Sequence, residues 1–344
     1  MIQHCLHAWH AVSYILLLLL ATTSTAQENA NANPEKRGIA YIGTRHPSDY
    51  NIFLGGRSPI TWYFNWSPNP VRRPSGFDDI EFVPLIHGLD NLDSDLARIR
   101  GLPERSTHLL TFNEPDLNGG GGSDISPEDA ARAYVERIAP LSIQNGGRWH
   151  ISHPSTTGTG SGLNWLRSFN SSCYEVDAEN GCPIDFIATH FYGDFPALAS
   201  WLGQLDEFYN ADGIRPSQPR LGMWITEVAL PQASATQTLQ MMNTTVPYLD
   251  SLGYVEKYSW FGIFRGRNAN EWTGDGVALL DDGGGLTGLG ARYLSTDEFT
   301  FVAGMSAQDA QSGGGSTRPR PSVAAVRERP LALLLLVVIM MVIR

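Results

Sequence analysis

Eight short apolar runs recur along the middle of the chain, at Gly38–Tyr41, Ile60–Trp66, Glu81–Ile86, His108–Phe112, Trp149–Ser152, Phe186–Phe191, Leu221–Thr226 and Val255–Phe261. Each is of strand length, and turn residues or polar, helix-like sequence follow it. The intervals of about 20 to 45 residues leave room for a crossover helix between parallel strands. Eight such units in one domain predict an α/β fold, a (β/α)8 TIM barrel carrying a single catalytic domain. An open doubly wound sheet is the second reading. It lacks its fingerprint, because no Gly-x-Gly-x-x-Gly follows the first strand and opens a helix.

Helix signals occupy the gaps. Ser126-Pro127-Glu128-Asp129 reads as an N-cap, a proline at the first helical position and two acids at the positive end of the dipole. Apolar residues at Ala130, Ala133, Tyr134, Ile138 and Leu141 carry that helix on. A second helix is expected around Leu163, Trp165, Leu166 and Phe169, and a third over Thr236–Leu252.

The two ends differ from the middle. Residues 11–21 are almost entirely apolar, and Ser24-Thr25-Ala26 follows as a small-residue cleavage site, so residues 1–26 read as a signal peptide. An uncleaved anchor is the alternative, since His4, His7 and His10 stand in for the usual basic residues. An extension at 27–36 leads into the barrel domain at 37–302. From Ala303 the chain turns to Gly, Ser, Gln and Pro, which predicts a flexible stalk and spacer over 303–330. The apolar tail at 331–344 is short of the roughly 20 residues a spanning helix needs. Small residues, a polar spacer and a short apolar tail form a signal for exchange onto a glycosylphosphatidylinositol lipid, with Ser312, Gly313 and Gly314 as attachment candidates. A single-span anchor flanked by Arg344 is the other reading. The expected location is the cell surface or cell wall, with contact to membrane only through the lipid.

Residues 1–26 carry no charged side chain and 313–344 carry five Arg and one Glu, leaving 19 basic and 34 acidic residues between them, a net charge of −15. Such a surface repels nucleic acid and anionic polymers and suits a neutral substrate. With Cys5 in the leader, Cys173 and Cys182 remain as a pair in an oxidising compartment, so a disulfide is expected. A metal site is the weaker reading, for no His or second Cys pair lies at ligand spacing. Asn170, Asn243 and, less favourably because of Pro68, Asn65 begin glycosylation sequons.

Two strands end in an acid. THLLTFNEPD, at 107–116, runs from apolar residues into Asn113 and Glu114, and Pro115 denies the ladder its next hydrogen bond. LGMWITE, at 221–227, ends in Glu227. A Glu in a turn is commonly just solvated, but in a parallel barrel all strand carboxyl ends share one rim, so these two can face each other across one mouth. Retaining glycoside hydrolysis needs two carboxylates about 5–5.5 Å apart, one as nucleophile and one as acid then base. Other acid pairs, Asp78-Asp79, Asp93 with Asp95 and Asp281-Asp282, lie in loops or helix starts and read as surface or caps. The glycines at 119–122 lack the Lys and Ser/Thr of a phosphate loop and read as a flexible loop beside the site; no His-Glu-x-x-His is present. Neither metal nor cofactor is expected. The sixth strand brings His190 and Tyr192 to the same rim, where either can hydrogen-bond a carboxylate. Trp66 and Trp260 close the second and eighth strands, to stack on sugar rings or to pack the core. Trp62, Trp165 and Trp224 are assigned to packing.

Taken together, RGIAY at 37–41, YFNW at 63–66, TFNEPD at 111–116, CPIDFIATHFYG at 182–193, WITEVA at 224–229, YSWFGIF at 258–264 and LTGLGARY at 286–293 resemble glycoside hydrolase family 128. Its fungal members are often grouped as alkali-sensitive-linkage-like cell-wall proteins. The resemblance runs from Arg37 to Tyr293, with the motifs in family order. It implies a retaining endo-β-1,3-glucanase on a (β/α)8 barrel, with Glu114 as acid/base, Glu227 as nucleophile and Asn113 on the 2-hydroxyl of the reacting sugar. The expected partner is a β-1,3-glucan polysaccharide or oligosaccharide, bound by a monomer. The sequence departs from the pattern at His87, where an aromatic is expected, and at Val228, where Phe is common. A β-glucan transglycosylase and a non-catalytic glucan-binding wall protein are the competing readings.

Overall fold

The computed structural model describes residues 34–72, 75–211 and 219–312. The expected signal peptide, most of the extension, the candidates Gly313 and Gly314 and the apolar tail lie outside the described residues. Nine strands follow in order among them: β1 (Arg37–Ala40), β2 (Trp62–Phe64), β3 (Glu81–Phe82), β4 (Leu85–Ile86), β5 (His108–Thr111), β6 (His150–Ile151), β7 (Phe186–Tyr192), β8 (Gly222–Ala229) and β9 (Val255–Trp260). The third expected strand is divided because Pro84 has no N–H to give to a ladder. Its two halves still work as one: Val83 donates to Tyr63, and the Pro84 carbonyl accepts from Leu110.

All pairings between these strands are parallel, in the orders β3-β2-β1-β9-β8-β7 and β4-β5-β6. The two arcs meet at the divided strand and, on the far side, through the bridge between Ser152 and Phe186. With helices between the strands, this is a TIM-barrel-like (β/α)8 fold.

Period-two alternation sorts the strand side chains into two layers. Ala40, Trp62, Phe64, Val83, Leu85, Leu110, Phe186, Ala188 and Trp224 pack together inside the ring of strands. Their neighbours Ile39, Tyr63, Phe82, Ile86 and Leu109 join the larger cluster with the helices. Gly38 makes room for the Trp62 indole, whose Cε2 would lie 2.1 Å from a Cβ at that position. The aromatic filling leaves the mouth at the carboxyl ends of the strands as the place for a site.

The Ser126 hydroxyl caps the helix Pro127–Ala133 by accepting from the Asp129 N–H at 3.1 Å. The expected single helix to Leu141 instead loosens into a π turn at Tyr134–Ile138 and a 3-10 turn at Ala139–Leu141, since Pro140 cannot donate to an α ladder. Thr159 caps Gly160–Val176, and Ser234 with Gln237 forms a capping box for Ala235–Ser251. The packed chain also runs past residue 302, which moves the start of any stalk. Gly304 donates to Leu286, Leu286 to Met305, and Met305, Ala307 and Ala310 pack on the core.

Cys173 and Cys182 are bonded, tying the end of Gly160–Val176 to the approach to β7. Replacing both by alanine is expected to cost about 2–4 kcal/mol, by loop-closure entropy. The urea midpoint of the full chain should fall; an unchanged midpoint would mean the bond constrains nothing that folding does not already hold.

Candidate active site

Glu114 stands on a strained turn. Beyond β5, Phe112 (φ 33°) and Glu114 (φ 42°) both adopt left-handed backbone, at a cost on the order of 1 kcal/mol or more each for side chains of this kind. The neighbouring strand ends hold the turn. Asn113 N–H donates to His87 at 2.9 Å, Glu114 N–H to Ser155 at 2.7 Å, and Ser155 N–H to Phe112 at 3.2 Å. Glu227 lies inside β8, where the register with β7 shifts: Ile225 pairs with Thr189, and Glu227 pairs with His190. The extra residue, Thr226, is a bulge that re-aims the side chains after it.

On β7, His190 and Tyr192 are two apart and so share a face. His190 Nδ1 lies 2.8 Å from Glu114 Oε1, and its Nε2 lies 3.2 Å from Glu227 Oε1. The second contact lacks a hydrogen-bonding angle and acts as an ion contact. Tyr192 donates its hydroxyl to Glu227 Oε2, and Trp66 Nε1 donates to Glu227 Oε1 at 2.7 Å. One ligand atom from each of Glu114, His190 and Glu227 lies within 4.8 Å of the others. All three residues are buried, His190 completely.

Burial pushes the Glu227 carboxyl above the ordinary carboxylate range, and the Glu114 charge adds to it; His190 and the Tyr192 and Trp66 donors oppose the shift. For His190 burial works the other way, favouring the neutral ring, but Glu227 and Glu114 together outweigh it and raise the imidazole. The ring is therefore a cation between two carboxylates in mildly acidic solution. Burial and the Glu227 charge lift the Tyr192 phenol, keeping it a donor. Three residues thus converge on Glu227 and favour its ionised form, offsetting part of the upward push of burial.

Asn113 donates from Nδ2 to the Gly121 carbonyl at 3.0 Å, while its buried Oδ1 has no partner. His87 Nε2 also lies 3.0 Å from that carbonyl. The glycine loop is thereby tied to the rim, and Gly119, Gly120 and Gly121 all have positive φ, which their lack of Cβ permits. Asp116, raised by burial, accepts from Thr157 through both backbone and hydroxyl.

Two aromatic assignments change. Trp66 (φ 52°) touches the carboxylate itself and is not simply a stacking face. Trp260 is 1 % exposed, donates to the Val277 carbonyl at 2.9 Å and lies in the helix-facing layer with Tyr258. Its position in the strand alternation turns it away from the mouth, so it cannot meet a sugar. The rim aromatics that sequence reasoning missed are Phe261, 5.8 Å from the Tyr192 ring, and Trp272, 4.4 Å from it. A lone Trp in the polar loop Asn270–Thr273 was the available signal. Of the sequons, Asn243 is exposed, whereas Asn170 and Asn65 are half-buried.

Residues 38–293 match the family described as the glycosyl hydrolase catalytic core. The chain is 32 % identical over 270 residues to alkali-sensitive linkage protein 1 of Schizosaccharomyces pombe, covering 76 % of this chain and 44 % of that protein. It therefore spans less than half the length of that relative. A GH128 subgroup II endo-β-1,3-glucanase from Sorangium cellulosum superposes with a TM-score of 0.57 at 28 % identity, covering 76 % of this chain and 98 % of that one. A subgroup III curdlan-specific exo-β-1,3-glucanase from Blastomyces gilchristii, in complex with glucose, gives 0.57 at 27 % identity, covering 77 % and 100 %. The match over most of the chain, the likeness to these structures and the meeting of two glutamates at one barrel rim make this chain a member of glycoside hydrolase family 128.

Proposed function

We propose that the chain is a retaining endo-β-1,3-glucanase that cleaves neutral wall glucan by double displacement. The observation that carries this reading is the closeness of the acids: one carboxylate oxygen of Glu114 lies within 4.8 Å of one of Glu227, and one His190 ring contacts both, in keeping with the short separation, about 5–5.5 Å, of the carboxyl groups of retaining enzymes. In this mechanism Glu227 attacks the anomeric carbon while Glu114 protonates the departing oxygen. Glu114 then takes a proton from the water that cleaves the glycosyl-enzyme, and Glu227 leaves as carboxylate. The donors gathered on Glu227 favour it as the nucleophile, since that carboxylate must be ionised at the start and again at the end. The unpartnered Asn113 Oδ1 is positioned to accept from a sugar hydroxyl.

Reducing-sugar release from laminarin tests the activity; glucan binding without release would leave a binding protein. The exo-acting relative makes exo cleavage the second reading. Products from defined β-1,3-gluco-oligosaccharides separate the two: internal cleavage yields a spread of lengths, exo cleavage a single short product.

Activity should be bell-shaped in pH, with an acidic optimum. Lowering the pH protonates Glu227, and because burial raises its carboxyl, the acid limb should lie above the ordinary carboxylate range. Raising the pH strips the proton that the coupled cluster must donate. A flat profile from about pH 4 to 8 would contradict two coupled carboxylates.

A further inference from the structure

Trp272 is 54 % exposed, although its neighbour Thr273 is fully buried. Its ring meets Tyr192 at 75° with centroids 4.4 Å apart, and Tyr192 in turn bonds Glu227. A single exposed apolar side chain is ordinarily unremarked, but this one stands one residue away from the proposed nucleophile.

Its loop is also held still. Gln232 has positive φ (57°), its N–H donates to the Thr273 carbonyl at 3.0 Å, and its Nε2 donates to the carbonyls of Glu271 and Trp272 at 2.6 and 2.7 Å. A carboxamide nitrogen has two protons and can serve two carbonyls at once. Asn270 caps the same loop, accepting from Thr273 N–H at 2.7 Å and its hydroxyl at 2.9 Å. The indole is therefore presented on fixed backbone, which lowers the ordering cost of binding to it.

We infer that Trp272 is a platform for a glucosyl ring on the glycone side of the reaction centre, and that Gln232 is the positioning residue that holds it there. A β-glucosyl chair carries its hydroxyls equatorially, so each ring face presents C–H groups to an aromatic plane. The side follows from the elements: Tyr192 ends β7 and Trp272 sits in the loop that follows β9, so both come from the neighbours of the β8 strand that carries Glu227, whereas the group proposed to protonate the leaving sugar follows β5. The inference rests on the glucanase reading, and its test separates the two.

In full-length chain made inert by Glu114→Gln, affinity for laminaripentaose is measured by calorimetry. Adding Trp272→Ala should weaken it roughly ten-fold or more, the scale for truncating a Trp anchor, and Trp272→Phe should recover most of the loss. Gln232→Glu, which sets an oxygen against two carbonyl oxygens, should weaken binding without touching the sugar. In otherwise native chain acting on an aryl β-laminaritrioside, whose sugars all lie on the glycone side, Trp272→Ala should raise KM far more than it lowers kcat. No binding by the parent would sink the glucan reading itself. Binding that Trp272→Ala leaves intact would overturn the platform, and an effect on the pentaose without one on the trioside would overturn the glycone assignment.

Discussion

Glu227→Ala is expected to lose roughly 10²–10⁴ or more of the rate on β-1,3-glucan, and azide should restore turnover of an activated substrate as the α-glycosyl azide. Without the carboxylate no glycosyl-enzyme forms, and azide in the vacated space attacks from the same side, inverting the configuration once. Glu114→Ala should lose a similar factor on glucan but still form the intermediate from an aryl glycoside, whose leaving group needs no proton. Azide then intercepts that intermediate and gives the β-azide. The anomers obtained the other way round would exchange the two roles, and full activity in either variant would end the mechanism.

His190→Ala should be nearly as damaging, with a loss of roughly 10²–10³ in kcat/KM, because one completely buried ring contacts both carboxylates. The more discriminating readout is the pH profile. The His190 charge favours the ionised form of Glu227 and so works against burial. Removing that charge leaves desolvation less opposed, so the acid limb of kcat/KM should move to higher pH. His190→Gln, which keeps a donor but no charge, should recover part of the rate and retain the displaced limb. A variant with reduced rate and an unmoved limb would show that the ring only fills space and that its charge does not tune the site.

Much of this architecture was legible because its signals are local. The strand positions, the Ser126 cap and the approach of Cys173 to Cys182 follow from period-two apolarity, from capping chemistry and from a short loop, although the strand before Glu114 ends at Thr111, at the left-handed Phe112, and not at Pro115. Once eight strands run parallel, their ends share a rim, so both glutamates were placed by topology before any coordinate. Even the helix through Tyr134 was found, and only its winding, altered near Pro140, was not.

Sequence alone determined that Glu114, His190, Tyr192 and Glu227 reach the mouth of the barrel, while tertiary structure decided which way side chains at the strand ends point and which aromatics join them. Trp66 and Trp260 read alike as strand-closing tryptophans, yet one bonds Glu227 across 161 residues of chain and the other is sealed among the helices. The bulge at Thr226, the reach of His190 to both carboxylates and the meeting of Trp272 with Tyr192 have no local code. They depend on register, twist and left-handed turns held by partners remote in sequence, and a side chain's direction at a strand end is set by those partners rather than by its own neighbours.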